Sequence, residues 1–347
     1  MTHEASSDRS KRSEQTLEEL VQTLRHARGL TLKREIAQVA QLLAESTPAT
    51  WSDDAESPIR NGDDAAAIPD GDGYMLVAAE GMLADFVATD PWFAGFCAVM
   101  VNVSDILAMG GRPYAVVDVL FSGDEAQRTL VLRGLRDGAR AFGVPVVGGH
   151  TSPAPGGATL LAAAIVGRAR RLITSFAARP GDDLIIAIDL RGRYRAHGDY
   201  FDAATCAERI DLHASLALLP RLAEAGLVRA GKDISMAGIA GTLVMLCEGS
   251  GVGATLALER VPRPANAPLA RWLCTFPSYG FLLAVEPRHS ARVHAQFAAI
   301  GVASVSAGAF DESDCVALSL AGVHRAFWDV RREPLTGFGA HAGGGER

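Results

Sequence analysis

Aromatic residues make up only 6% of this chain against a hydrophobic share of 48%, so its core has to be built mostly from Ala, Leu and Val. Basic charge is not in excess: 33 Lys and Arg stand against 40 Asp and Glu, a formal net charge of −7. With an isoelectric point near 5.7, the chain lacks the electrostatic footprint of a general nucleic-acid binder. The five cysteines (Cys97, Cys206, Cys247, Cys274, Cys315) include no Cys-x-x-Cys pair. An odd, unpatterned set shows no zinc constellation and reads as reduced thiols of a cytoplasmic protein. Met1–Arg12 is polar and charged, unlike a signal peptide. The apolar stretch Ala158–Gly167 is half of the ~20 residues that a membrane-spanning helix needs, so a soluble protein is expected. There is no G-x-S-x-G element, and no cysteine in an activating context, to support nucleophilic catalysis.

The 347 residues suggest two domains. Residues 1–46 read as a polar, disordered tail and a helical lead, Leu17–Ser46, broken near Gly29. A polar loop with Trp51, Pro58 and Gly62 follows. Strands are expected at Ala65–Ile68 and Tyr74–Ala79 around an Asp-Gly-Asp-Gly turn. A helix over Phe93–Met109 ends at Gly110-Gly111, and Pro113–Phe121 reads as a strand. Asp124–Phe142 is an amphipathic helix, Val144–Val147 a short buried strand and Ala158–Ala169 a longer one. Beyond a linker at Arg170–Gly181, strands are expected at Leu184–Leu190, Ala254–Leu258 and Phe281–Val285. Helices are expected at Asp211–Ala225 and Met236–Cys247. After about Val330 the Gly-rich end reads as disordered. Without steady strand–helix alternation the class is α+β, with domains 47–170 and 171–330 and a tail, 331–347.

Carboxylates carry what chemistry is legible. Asp63 and Asp64 follow Gly62 at a loop-to-strand junction, where paired acids suit Mg²⁺, a hard cation that takes oxygen ligands; a solvated turn explains them equally simply. Glu80 ends a strand before Gly81, either facing a cleft or lying on the surface. Asn102 and Asp105 share a helix face among uncharged residues, so Asp105 is buried and needs a metal or an Arg partner. Gly148-Gly149-His150-Thr151 follows a strand, and two glycines let backbone amides approach an anion; His150 is either an anion ligand or structural. Asp233-Ile234-Ser235 precedes a helix, as N-caps or as a metal ligand beside a phosphate-favouring helix N-terminus. Gly226–Asp233 comes one residue short of a Walker A pattern. A helix precedes it, and Asp stands where Ser/Thr should hold Mg²⁺, which rules it out. The glycines at 249, 251 and 253 lie between a helix and a strand, the wrong order for a dinucleotide fingerprint.

Taken in order, these pieces resemble the aminoimidazole ribonucleotide (AIR) synthetase superfamily, which includes thiamine-monophosphate kinase, selenophosphate synthetase and the hydrogenase-maturation carbamoyl dehydratase. The matching runs are Gly62-Asp63-Asp64-Ala65-Ala66, Val101–Asp105 continuing to Met109–Pro113, Gly148–Thr151, Ala178–Asp182, Asp233–Ser235, and Ser250–Ala254 with Glu259–Pro262. Together they span about residues 60 to 290.

The resemblance implies two α/β domains and a homodimer whose N-terminal sheets pair into a barrel, with ATP nearby. It implies Mg²⁺ at Asp64, Asp105 and Asp233, joined by Asp63 and by Glu80 where the family usually has Asp. Asn102, Gly148, Gly149, His150, Thr151 and Ser235 would line the nucleotide site, and Asp105 and Asp233 would be catalytic. At His150 and Met236 thiamine-monophosphate kinases usually carry Asp, and at Ser175 an arginine. The Cys and Lys of the selenophosphate enzymes are also missing. The chain therefore looks most like the AIR synthase-related branch. The expected activity is Mg-ATP-dependent phosphoryl transfer to an oxygen of a small substrate. Its rival is a nucleotide-binding regulatory or scaffold protein without turnover. Arg191, Arg193, Arg195 and His197 form either an anionic-substrate site or a solvated basic turn.

Overall fold

The computed structural model describes residues 15–44, 59–154, 158–205, 212–276 and 280–339. By internal packing the chain forms two units, 64–173 with 191–226, and 1–63 with 174–190 and 227–347. Each is a mixed sheet carrying helices, in line with the α+β expectation. The cut expected near residue 170 lies close to the crossing at 173–174, but the chain also crosses at 63–64, and 191–226 return to the unit of 64–173. The tail before residue 15, the loop around Trp51 and Pro58, Cys206 and the last eight residues lie outside the described residues.

The helical lead is three pieces, α1 (15–25), α2 (Arg28–Lys33) and α3 (Ile36–Ala44). The breaks fall at 26–27 and 34–35 rather than at Gly29.

The five-stranded unit begins with the hairpin β1 (Ala66–Asp70) and β2 (Gly73–Met82), which turns at the Asp-Gly-Asp-Gly run. Next come α4 (Ala84–Thr89), α5 (Pro91–Ala108), β3 (Arg112–Ser122), α6 (Glu125–Phe142), β4 (Val146–Ser152) and β5 (Thr159–Ala169). The sheet order is β1-β2-β5-β3-β4, with only β3 and β4 parallel. Asp90 caps α5 by accepting from the Phe93 amide, Pro91 takes the first turn, and Gly110 follows it in the left-handed region at φ 71°. Every residue from Phe93 to Ala108 is buried, each large apolar one contributing about 1.5–3 kcal/mol. Helix α5, not the 158–167 stretch, is the described segment long and apolar enough to cross a membrane; it is buried inside this unit. It packs closely on α6 because Gly95 and Gly134 face the partner backbone, where a β-carbon would strike a carbonyl oxygen. The short strand expected to be buried at Val144–Val147 is instead the start of β4, an edge strand with Val147 64% exposed.

Strand β6 (Asp183–Ile188) joins the other unit, after which β7 (Arg193–Tyr194), β8 (Phe201–Asp202), α7 (Leu212–Leu216) and α8 (Leu218–Glu224) return to the first. The single helix expected over Asp211–Ala225 is thus two, and Asp211 lies outside the described residues. Arg195 pairs with Asp90 and Asp202 and lies 4.4 Å from the Phe93 ring centroid. It fastens this return to the start of α5 and is neither a solvated turn residue nor a substrate arginine.

The seven-stranded unit adds β9 (Ala230–Asp233), α9 (Gly238–Ser250), β10 (Gly253–Ala257), α10 (Leu269–Leu273), β11 (Gly280–Val285), α11 (Pro287–Ala298), β12 (Ala303–Asp311), β13 (Cys315–Leu320) and β14 (Val323–Asp329). Its order is β14-β13-β10-β12-β6-β11-β9. Asp233 and Ser235 are not the caps of α9: Asp233 closes β9, and the helix starts at Gly238 after Ala237, with no side-chain cap. Gly249 and Ser250 lie inside α9, and Gly251 alone ends it, at φ 68°. The disorder expected after Val330 does not hold for residues 331–339. Leu335 is fully buried, and the amides of Leu335, Thr336 and Gly337 donate to the Glu248 carboxylate.

Candidate functional site

In the five-stranded unit, the strand register lines up Glu80, Ala163, Asp118 and Gly149 as one row across β2, β5, β3 and β4. Directly paired residues point to the same face of a sheet, so Glu80 and Asp118 face the same way. With strands ~4.8 Å apart, the two carboxylates are roughly 10 Å apart. Ala163 keeps the space between them open. On α5, the Asn102 side chain donates to the carbonyls of Ala98 (2.8 Å) and, in this same row, Ala163 (3.3 Å). Its Oδ1 is buried and has no hydrogen-bond partner among the described residues. Asp105, one turn further, is 6% exposed. One of its carboxylate oxygens lies within 4.8 Å of one from Asp64.

Asp118 is the residue that sequence reasoning missed. It is 8% exposed, and burial pushes its carboxyl above the usual range, against a smaller opposing effect of a backbone hydrogen bond. A β-carbon on Gly149 would lie 2.5 Å from Asp118 Oδ1 and 2.6 Å from its carbonyl oxygen, so position 149 admits only glycine beside this acid. The signal in the sequence was a lone Asp on the buried phase of an alternating strand, Val116 to Leu120.

The run Gly148–Thr151 is not a loop after a strand but part of β4, and strand alternation divides it. Gly149 and Thr151 pair with Asp118 and Leu120 on the inner face, whereas Gly148 and His150 pair with Val117 and Val119 on the other. His150 is exposed there, its Nε2 2.9 Å from Ser152 Oγ and its ring 5.7 Å from that of Phe121. The structure thus separates His150 from the Asn102–Asp118 row. Glu80 is exposed, in the row but outside the close pair of Asp64 and Asp105.

In the seven-stranded unit, Asp63 has a task other than metal binding. Its oxygens accept from Thr174 Oγ1 (2.6 Å), Ser175 Oγ (2.5 Å) and the Ser175 amide (3.1 Å to each). These donors occupy most of a carboxylate's acceptor capacity, so the Asp63 side chain is a clamp on the 174–175 segment. Ser175 stands where an arginine was expected. The ammonium of Lys232, which is 6% exposed, lies 3.5 Å from Ser175 Oγ. Asp233, next along β9, is 3% exposed and pairs in register with Phe281. The Ser235 hydroxyl is buried without a partner among the described residues. In the Ala178–Asp182 run, both oxygens of Asp182 accept from Arg229 Nη2 (2.9 and 3.1 Å), while Arg229 Nη1 donates to Glu286. This run is a structural anchor.

A metal held by Asp64 and Asp105 would take carboxylate oxygens, and the unused amide oxygen of Asn102 lies one turn earlier on the same helix as Asp105. That donor set fits Mg²⁺ and not a soft metal.

These two sheet-and-helix units, with acids at the loop before β1 and on a buried helix, define a two-domain architecture of the AIR synthetase type. The model of the AIR synthase related protein N-terminal domain matches residues 62–169, and that of the C-terminal domain residues 195–315. The chain belongs to the AIR synthase related family. It is 45% identical over 323 residues to the protein named sll0787 of Synechocystis sp., covering 93% of this chain and 98% of the relative. It is 33% identical over 137 residues to the thiamine-monophosphate kinase of Pyrococcus horikoshii, covering 37% of this chain and 43% of that one. Among solved structures, T. maritima PurL complexed with ATP superimposes with a TM-score of 0.66 at 19% identity. That match covers 86% of this chain and 54% of PurL, so this chain spans about half of PurL's length.

Proposed function

We propose that this protein binds ATP with Mg²⁺ and uses it to phosphorylate or activate an oxygen of a small-molecule substrate. The observation that carries this reading is the approach of Asp64 and Asp105 within 4.8 Å, with Asn102 Oδ1, one turn earlier on the same helix as Asp105, buried and without a partner among the described residues. The family membership and the ATP-bound PurL neighbour support it. In this reading a bound Mg²⁺ would supply positive charge against the negative charge that develops in phosphoryl transfer. Asp64 and Asp105 would hold the ion. Asn102 Oδ1 would accept from a donor of the nucleotide. Gly149 leaves room beside Asp118, and Glu80 and Asp118 border that space. Ser235 offers its hydroxyl to a phosphate oxygen.

The reading includes a homodimer. The face of the five-stranded sheet opposite the helices carries Met75, Val77, Val117, Val119, Phe121 and Leu160, each at least 37% exposed. Contiguous exposed apolar surface of this kind marks an interface, and a second copy of the same sheet matches it in character.

Calorimetric titration with ATP, with and without Mg²⁺, tests the proposal. Magnesium-dependent binding is expected in the wild type and is lost in Asp64→Ala and Asp105→Ala. A folded wild type that binds no ATP would overturn it.

A further inference from the structure

Lys232 is a buried cation that the site chemistry above does not use. An ammonium is retained at 6% exposure only where its desolvation is offset. Here it lies 3.5 Å from Ser175 Oγ, and Ser175 Oγ lies 2.5 Å from Asp63 Oδ1. The chemistry of the three groups sets the direction of this chain. A lysine ammonium has donors and no acceptor, a carboxylate only accepts, and a serine hydroxyl has one proton to give. Ser175 therefore accepts from Lys232 and donates to Asp63, and both links are charge-assisted. The Ser175 amide and the Thr174 hydroxyl complete the grip on the same carboxylate. Thr174 in turn is tied to β9 by its amide, which donates to the Arg229 carbonyl, and by its carbonyl, which accepts from the Gly231 amide.

One ammonium thus ties three segments together: β9, whose next residue is Asp233; the 174–175 segment; and the loop that ends in Asp63 and leads directly to Asp64. We propose that Lys232 is a positioning residue which, acting through the Ser175 hydroxyl, holds the Gly62–Asp63 loop and β9 in the arrangement that nucleotide binding needs. This inference rests on the Mg-ATP reading for its consequence, but the relay itself is a property of the protein without ligand.

The test combines two readouts on the full-length chain. Amide hydrogen exchange across residues 59–64, measured without metal or nucleotide, reads the relay. Calorimetry with Mg-ATP reads its consequence. Lys232→Met and Ser175→Ala are each expected to speed exchange in 59–64 and to weaken Mg-ATP binding about tenfold or more, the scale of one lost charge-assisted hydrogen bond. Because the two residues act in series, the double variant is expected to be no weaker than the poorer single one. Ser175→Thr, which keeps the hydroxyl, is expected to stay within about threefold of the wild type. Should Lys232→Met fail to fold, the alanine and threonine variants at Ser175 still decide the question. Unchanged exchange and affinity in Ser175→Ala, or fully additive losses in the double variant, would overturn the relay. A wild type that binds no Mg-ATP, together with faster exchange in the variants, would sink the nucleotide reading and leave the positioning role standing.

Discussion

Glu248→Gln should loosen the end of the chain. Glu248 is 2% exposed in α9, and each of its two oxygens accepts from a backbone amide of its own, with the Thr336 amide shared between them. Oε1 accepts from the Gly337 amide (2.8 Å), and Oε2 from those of Leu335 and Thr336 (3.0 Å each), with the Thr336 hydroxyl at 3.3 Å. A glutamine has one acceptor oxygen, so whichever way its amide is turned it presents N–H to at least one of these backbone donors. One orphaned buried amide costs about 1–3 kcal/mol, and the remaining bonds lose their charge assistance. Relief from burying a charge works the other way, but the backbone donors stay in place and buried, so a net loss of about 2–3 kcal/mol is expected. At roughly 2–4 °C per kcal/mol for a unit of this size, the melting temperature should fall by about 4–12 °C. Phe338 occupies the space beside Gly62, where a side chain would collide with it and φ is 97°. The loosening should therefore also reach the loop before Asp63. Thermal or urea unfolding measures the first effect, and hydrogen exchange at 335–337 the second. A change below about 0.5 kcal/mol with those amides still protected would refute the reasoning, because it would mean that Leu335 packing alone holds the strap.

Asp105→Asn should keep the fold while weakening Mg-ATP binding at least tenfold, since it removes one metal-binding charge and leaves the helix volume unchanged; calorimetry beside a melting curve checks both halves. Asp118→Asn should change how stability depends on pH. The folded protein holds the Asp118 proton more tightly than the unfolded chain does, so wild-type stability falls as pH rises from the ordinary carboxylate range through the raised folded value. The asparagine variant lacks that fall, so unfolding curves at several pH values should show its stability gaining on the wild type across that window and levelling off above it. If the proposed homodimer forms through the apolar sheet face, Val119→Lys should give monomers in sedimentation with the fold intact, because two like charges would meet at that interface.

What the sequence disclosed about this molecule was mainly local. The β1–β2 hairpin was readable because Asp70-Gly71-Asp72-Gly73 dictates a turn between two alternating runs. The end of α5 was readable because Gly110 supplies the left-handed residue that stops a helix. Asp105 could be seen as buried from its neighbours on one helix alone. The errors fell where register or distant packing decides. Val144–Val147 is apolar enough for a buried strand, but it borders the edge strand β4, which only the sheet order reveals. The glycines at 148 and 149 looked like one cradle. Placed in a strand they face opposite ways, and only Gly149 reaches the row of Asp118 and Glu80. Asp63 and Asp64 looked interchangeable as neighbouring acids. Thr174 and Ser175, more than a hundred residues later, capture the first, while the second lies beside Asp105. Asp118 stayed hidden because one acid in an alternating strand is the pattern of any half-exposed strand, and only its pairing with Ala163 and Gly149 places it beside Asn102. Each of these choices turns on a contact between residues far apart in the chain, so local periodicity located the acids without assigning their work. Exchanging the two tasks tests that division directly. Asp63→Asn should speed hydrogen exchange at 174–175 and weaken metal binding only as far as the loosened loop does, about as much as Ser175→Ala, whereas Asp64→Asn should remove metal binding and leave exchange at 174–175 unchanged. Equal loss of metal binding in both would mean that the pair acts as one ligand after all.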